Sequence, residues 1–275
     1  MKKLAGHAAG TATWATNVGN EDGQVLMSVL TCKEGFGLGA MCRGLVNRYA
    51  AAGVDPPKIL YVDRDCCGNS YLHAMFGAWT EMKIRLDIFH FMRRFSVGCT
   101  TDAHQLYGFF MSALSRCIFE WSKDDLTKLR DAKRQELAKK GIVLPEDSEL
   151  VRHLTKKELL QHCRRQTRGT ETTTAMLKDL LEELGGERGR DTLGFPLFDE
   201  QRMANIWESQ RRHVECIQDP EGVQLYTKVG EVKKGDTTLP VYRCARGSTS
   251  LESFHLHLAR FIPGKLKLCY LNYHY

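Results

Sequence analysis

Acidic residues associated with short apolar runs are the feature of this sequence most suited to chemistry. Asp63 ends the apolar run 58–63, and Asp87 lies in the next such run with His90 three residues later. A third acid, Glu252, stands near the start of a helix-like segment far along the chain. Converging carboxylates suit Mg²⁺ or Mn²⁺, because hard cations prefer oxygen ligands. Two such ions can activate an attacking oxygen and stabilise a leaving oxygen in phosphodiester chemistry.

The elements that would position these acids can be predicted from the spacing of apolar residues. Residues 11–31 alternate around a turn rich in Gly, Asn and Asp, which predicts a β-hairpin. A helix follows and closes at Gly53. Residues 58–63 and 82–89 predict two further strands, with Asp63 at the carboxyl end of the first. Two β–α passages in succession indicate an α/β protein with a mixed sheet flanked by helices.

Helical signals dominate the middle of the chain. An apolar stripe from Leu106 to Trp121 predicts one helix, and the charged residues 123–140 predict another. Capping signals at Thr155 and Asp199 mark two more helices. The segment 224–243 then predicts a second hairpin.

Basic residues in this helical block are candidate phosphate ligands. The formal net charge of the chain is +6, which is compatible with a polyanionic partner such as DNA. The alternative is that these charges form an ordinary solvated helix surface. The candidate nucleic-acid-binding residues are Arg164, Arg165, Arg168, Arg211 and Arg212.

The order of these features resembles that of DDE transposases of the Mutator-like and related eukaryotic groups. The resemblance covers nearly the whole chain, although each motif is short. Its motifs are Val62-Asp63 after a strand, Asp87-x-x-His90, a long helical stretch, and a terminal Gly-Ser-x-Ser-x-Glu-x-Phe-His segment ending at His255.

The resemblance implies an RNase H-like fold interrupted by a long, mainly helical insertion. Residues 1–98 would form the first part of the core, 99–218 the insertion, and 219–275 a hairpin and the final core helix. The implied activity is metal-dependent DNA strand cleavage and transfer, with Mg²⁺ or Mn²⁺ as cofactor. DNA and a second copy of the chain would be partners, and the nucleus would be the location.

The resemblance also assigns roles to individual residues. Asp63 would be the second catalytic carboxylate and Glu252 the third, and both would bind the metal. Asp87 and His90 would form the accessory motif that supports the site.

One element of the family pattern is missing. The resemblance implies a first aspartate on a strand just before the hairpin, yet no acid precedes Glu21, and Asp22 falls in the predicted turn. We therefore expect that the sequence starts after that first strand and that the chain as given is inactive.

Each candidate also has a structural interpretation. Asp63 could be a turn residue, with Asp65 as the reserve candidate for the second carboxylate. Asp87 could pair with a nearby arginine (Arg85, Arg93 or Arg94), and His90 could be a core histidine. Glu252 could belong to a capping box with Thr249. The alternative function is a non-catalytic remnant that binds nucleic acid or protein.

Cysteine content and hydropathy limit the remaining possibilities. The ten cysteines include no CxxC pair, and His213-x-x-Cys216 with Cys244 matches no familiar zinc module, so we expect no zinc site. No stretch approaches the roughly 20 apolar residues of a membrane-spanning helix. Location outside the nucleus would accordingly be cytoplasmic.

Overall fold

The computed structural model describes residues 2–3, 14–31, 35, 37–67, 71–142 and 147–261. Within these residues the chain is mixed α/β, as the sequence predicted. None of the described helices combines the length and apolarity needed to span a bilayer.

The described strands and helices follow one another along the whole chain. The strands are β1 (Lys2–Lys3), β2 (Trp14–Gly19), β3 (Val25–Thr31), β4 (Ile59–Val62), β5 (Lys83–Leu86), β6 (Phe119–Trp121), β7 (Arg165–Thr167), β8 (Tyr226–Lys234) and β9 (Thr237–Cys244). The helices are α1 (Gly39–Ala52), α2 (Tyr71–Met75), α3 (Ile88–Ser96), α4 (Tyr107–Ile118), α5 (Lys123–Lys139), α6 (Asp147–Arg152), α7 (Lys156–His162), α8 (Thr170–Gly185), α9 (Glu200–Gln210) and α10 (Thr249–Phe261).

The chain divides into two compact units, and the first is discontinuous in sequence. The first unit comprises Met1–Phe89 and Gly247–Tyr275, and the second comprises His90–Arg246. These bounds differ from the expected insertion at 99–218. The hairpin β8–β9, which we had grouped with the final helix, belongs to the second unit.

The first unit begins with a small antiparallel sheet in the order β1-β2-β3. The predicted hairpin is confirmed, and its turn is closed by Asn20, whose side-chain oxygen accepts the backbone N–H groups of Asp22 and Gln24. Strand β1 was not predicted, because a two-residue strand of lysines has no apolar pattern. It contains no acidic residue.

Helix α1 packs on this sheet and contributes to the first unit's apolar core. It ends where the sequence predicted, since Gly53 adopts the left-handed conformation (φ 63°) that closes a helix. The buried core residues are Leu38, Met41, Cys42, Leu45, Phe76, Trp79, Met82 and Ile84. Because these residues come from α1 and from the segment leading into β5, the core ties the hairpin region to the strands that carry the candidate acids.

Strands β4 and β5 form a separate two-stranded parallel sheet. We had expected a mixed sheet joining these strands to the hairpin. Among the described residues the strands instead form four small sheets, one of three strands and three of two. Apolar patterning predicts that a strand is buried, but it does not predict which strand it pairs with.

The second unit packs helices around the two hairpin-like pairs β6–β7 and β8–β9. Its buried cluster of Leu129, Ala132, Cys163 and Leu239 joins α5 to β9. The predicted capping box at Thr155 and Glu158 is confirmed at the start of α7, and Asp199 caps α9. After α8, residues 187–189 form a turn of 3₁₀ helix.

Close backbone packing after α8 provides a test of this unit's structure. A Cβ atom on Gly189 would lie 1.7 Å from the carbonyl oxygen of Leu184, whereas one on Gly185 would meet nothing within 4 Å. We expect Gly189→Ala to lower the free energy of unfolding by about 1–3 kcal/mol, because the backbone must move to admit the methyl group. Gly185→Ala is the control and should change it by less than about 1 kcal/mol. Equal urea midpoints for both variants would contradict this packing.

Candidate functional site

Two candidate acids directly follow the two strands of the β4–β5 sheet, at the carboxyl ends of those strands. Val62 and Leu86 are register partners in this parallel pair, and the Asp87 N–H donates to the Val62 carbonyl at 2.9 Å. Asp63 and Asp87 each directly follow one of these partners. The backbones of the two acids therefore lie at the same end of this strand pair, and the convergence of their carboxylates stays a prediction.

The position of Asp87 differs from the prediction in one respect. We placed it inside a strand spanning 82–89, but β5 ends at Leu86 and α3 begins at Ile88. The alternating pattern continues through Ile88, which is also the first residue of the buried helical stripe completed by Phe91 and Phe95. The alternating pattern of a strand and the three-to-four-residue spacing of a helix overlap at Ile88, and the chain adopts the helix there.

A buried interaction joins Asp87 to the end of the chain. Asp87 is 1% exposed, and its Oδ2 accepts the Ser248 N–H at 2.5 Å and the Ser248 hydroxyl at 2.7 Å. Ser248 immediately precedes α10, so the carboxylate lies at the helix N-terminus, where negative charge is stabilised. The backbone approaches closely at Gly247, whose added Cβ would be 3.1 Å from Oδ2 and whose φ is +85°.

Glu252 lies in the first turn of α10 and is therefore held by the same contact. Its side chain is 25% exposed, and its Oε1 is 3.6 Å from Nδ1 of the buried His255. The capping-box interpretation needs correction, because Thr249 is already the first helical residue. Ser248 precedes the helix, and its carbonyl accepts the Glu252 N–H.

Two further candidates are less closely tied to this arrangement. Asp65 is exposed and has a φ of +61°, the left-handed conformation that aspartate adopts in turns. His90 is half-buried in the first turn of α3, at the start of the second unit. The contacts of the first unit therefore link Asp63, Asp87 and α10.

The side chains of these acids are chemically suited to a hard divalent cation, but the three acids would have different roles. Asp63 and Glu252 carry carboxylates of the type that bind Mg²⁺ or Mn²⁺. Oδ2 of Asp87 is already engaged by Ser248, which suits a supporting residue better than a metal ligand. The sequence offers no acid before Glu21, and Glu21 lies in the β2–β3 turn.

The candidate DNA-binding arginines lie in the second unit, and most make internal contacts. Arg164 forms a bidentate pair with Asp125, at 2.8 and 3.0 Å. Arg165 lies 4.3 Å from the Phe119 ring centroid. The other ion pairs are Arg168 with Glu120 at 3.2 Å and Arg211 with Glu208 at 2.6 Å. Arg212 is exposed.

A buried arginine that the sequence did not single out belongs to this region. Arg246 donates to both carboxylate oxygens of Asp219 at 2.8 and 2.7 Å, and its side chain is 5% exposed. Its guanidinium also lies over the Phe119 and Tyr226 rings. Its partners are distant in sequence, so no local pattern could have revealed it.

Cysteine and histidine pairs occur in each unit. In the first, the Sγ atoms of Cys66 and Cys67 are 3.8 Å apart; in the second, His213 Nδ1 is 4.0 Å from Cys216 Sγ. Burial, and then the positive charges of Arg94 and Arg212, lower the pKa of His213 and favour its neutral, ligand-competent form. Thiol and imidazole groups are the ligand types that zinc prefers, so the expectation of no zinc site stays a prediction.

The other buried thiols are poor candidates for chemistry. Burial raises the pKa of Cys99 and of Cys163 to about 12, and that of Cys42 to about 11. Thiols with such values are protonated at neutral pH and react slowly. They serve as small apolar residues.

Comparison of the chain with protein-family models, curated proteins and solved structures finds no match. The transposase resemblance therefore depends on the sequence motifs and stays a prediction.

The contact between Asp87 and Ser248 can be tested by substitution. We expect Asp87→Ala to lower the free energy of unfolding by about 2–3 kcal/mol, because two half-buried donors lose a buried carboxylate acceptor. Ser248→Ala keeps the backbone bond and should cost about 1 kcal/mol. Asp55→Ala, at an exposed acid of the same unit, is the control for urea denaturation. Equal midpoints for Asp87→Ala and Asp55→Ala would contradict the contact.

The ion pair of Asp125 gives a prediction for pH dependence. Burial raises the pKa of Asp125, but hydrogen bonds from Arg164 outweigh this and leave it below the ordinary value of 3.8. Its stabilising effect is present above that value and is lost as pH falls through the folded-state pKa. At pH 7 we expect Asp125→Asn to cost about 1–3 kcal/mol, discounted because Arg164 is half-exposed. The difference from wild type should shrink in acid, and a pH-independent difference would contradict this account.

Proposed function

We propose that this chain is a transposase-derived DDE domain with an RNase H-like core, built for metal-dependent DNA strand cleavage and transfer. The observation that supports this most directly is the link from the β4–β5 edge to α10. Register pairing sets Asp63 beside Asp87, and Asp87 binds the residue that starts the helix of Glu252. Contacts at the carboxyl ends of β4 and β5 thereby link acids that are remote in sequence.

The chemical roles follow from the character of each side chain. Asp63 and Glu252 would bind Mg²⁺ or Mn²⁺ through carboxylate oxygens. When bound, the cation supplies activation of the attacking oxygen and stabilisation of the leaving oxygen. Asp87 orients α10 by accepting hydrogen bonds from Ser248, and His90 would support this accessory motif.

The chain is expected to be catalytically incomplete by itself. The resemblance requires a first aspartate on a strand preceding the hairpin, and residues 1–20 contain no acid. Two carboxylates fix a metal less firmly than three, and two-metal chemistry depends on fixed coordination. Cation binding should therefore persist with reduced affinity while turnover is lost.

DNA is the proposed substrate, and an exposed arginine such as Arg212 would contact its phosphates. Self-association and nuclear location are proposed from the family resemblance. The paired arginines Arg164, Arg168 and Arg211 are proposed as weaker contributors. Phosphate contacts of this kind make binding salt-dependent. A non-catalytic remnant would keep only this salt-dependent component.

A cation-dependent increment in DNA affinity distinguishes the two functions. We expect Mn²⁺ to raise the affinity of the purified chain for a DNA duplex several-fold at fixed ionic strength, measured by fluorescence anisotropy, since a bound cation can bridge carboxylates and phosphate. Asp63→Asn and Glu252→Gln should abolish the increment and leave the metal-free affinity unchanged. Asp55→Asn is the control. An increment that survives both site variants would contradict the proposed site.

Plasmid nicking provides a second measurement on the same proteins. With Mg²⁺ or Mn²⁺ we expect no nicking by the folded wild-type chain. Nicking that disappears in both Asp63→Asn and Glu252→Gln would show a working site and contradict the expectation of an incomplete one. Asp65→Asn should behave like wild type; loss of the Mn²⁺ increment in that variant alone would move the second carboxylate to Asp65.

A further inference from the structure

The interface between α10 and β2 contains polar side chains that its packing leaves unsatisfied. A Cβ on Gly19 would lie 2.9 Å from Leu251 Cδ2, so α10 approaches β2 closely at this glycine. Ala15 and Asn17 are buried residues of the same strand, and the pairing of β2 with β3 is irregular between Val18 and Gly19. His255 follows Leu251 by four residues and lies on the same side of the helix.

Two of these residues are buried and lack hydrogen-bond partners at their polar atoms. His255 is 4% exposed and Asn17 is 8% exposed. Among the described residues, neither His255 Nε2 nor the two amide atoms of Asn17 have a hydrogen-bond partner. Buried side-chain polar atoms are paired in the large majority of cases in native proteins. A helix that only needed to pack on β2 would be expected to carry an apolar residue at position 255, as it does at Leu251 and Leu258.

The other ring nitrogen of His255 faces the proposed metal ligand. His255 Nδ1 lies 3.6 Å from Glu252 Oε1, which is beyond hydrogen-bond length. Two ligand atoms that are each about 2.0–2.2 Å from one ion lie about 3–3.5 Å apart. Glutamate and histidine three residues apart on a helix are a recurrent metal-binding pair.

We propose that Glu252 and His255 bind one divalent cation together. This inference rests on the proposed function, and it changes the expected metal preference. Imidazole suits Mn²⁺ or Zn²⁺, whereas Mg²⁺ favours oxygen ligands alone. The site would therefore select Mn²⁺ over Mg²⁺ more strongly than a site made of carboxylates.

The test is direct metal binding by the full chain, with Mn²⁺ measured by electron paramagnetic resonance and Mg²⁺ by calorimetry. His255→Leu should weaken Mn²⁺ binding about tenfold or more and Mg²⁺ binding much less. His257→Leu is the matched control, because His257 is exposed on the same helix. It should leave both affinities unchanged.

Thermal unfolding separates a ligand from a structural histidine. We expect metal-free His255→Leu to melt at a higher temperature than wild type, because the substitution removes an unsatisfied buried nitrogen. A variant that is more stable and yet binds Mn²⁺ more weakly would support the proposal. Unchanged Mn²⁺ affinity in His255→Leu would overturn it.

Glu252→Gln distinguishes failure of this inference from failure of the proposed function. If Glu252→Gln loses Mn²⁺ binding while His255→Leu retains it, the histidine is not a ligand and the carboxylate site stands. If Mn²⁺ binding is unchanged in Glu252→Gln, or absent from wild type, the proposed function and this inference are both overturned.

Discussion

The arrangement of the first unit depends on one buried carboxylate. Asp87 accepts two hydrogen bonds from Ser248, a residue 161 positions later in the chain, and it lies where the N-terminus of α10 favours negative charge. Without this acceptor, the Ser248 N–H and hydroxyl would lose their observed partner. Every property of α10 used above, including the position of Glu252, follows from the helix starting at that contact.

Glycines make this contact possible at two places. Gly247 brings the backbone within reach of the Asp87 carboxylate, and Gly19 lets Leu251 lie against β2. A Cβ at either position would have to displace the neighbour it meets. The helix is consequently fixed at its start by a charge interaction and along its length by packing on the hairpin. Together these constraints fix the positions of Glu252 and the buried His255 within the first unit.

Local signals predicted much of the secondary structure, and tertiary contacts account for the errors. The hairpin turn at Asn20, the helix end at Gly53 and the capping box at Thr155 are all specified by residues within four positions of one another. The edge carrying Asp63 and Asp87 was also predictable, because it requires only two parallel strands. The Asp87 bond to Ser248, the pairing of Arg246 with Asp219 and the grouping of strands into small sheets join remote segments. No spacing rule reports such contacts.

The central claim is that Asp63 and Glu252 bind the same cation, and a double-mutant cycle on Mn²⁺ affinity tests it most directly. The affinity would be measured for wild type, Asp63→Asn, Glu252→Gln and the double variant. If both residues bind one ion, the loss in the double variant should differ from the sum of the single losses by more than about 0.5 kcal/mol. Losses that add within that margin, or single variants that bind like wild type, would contradict a shared site.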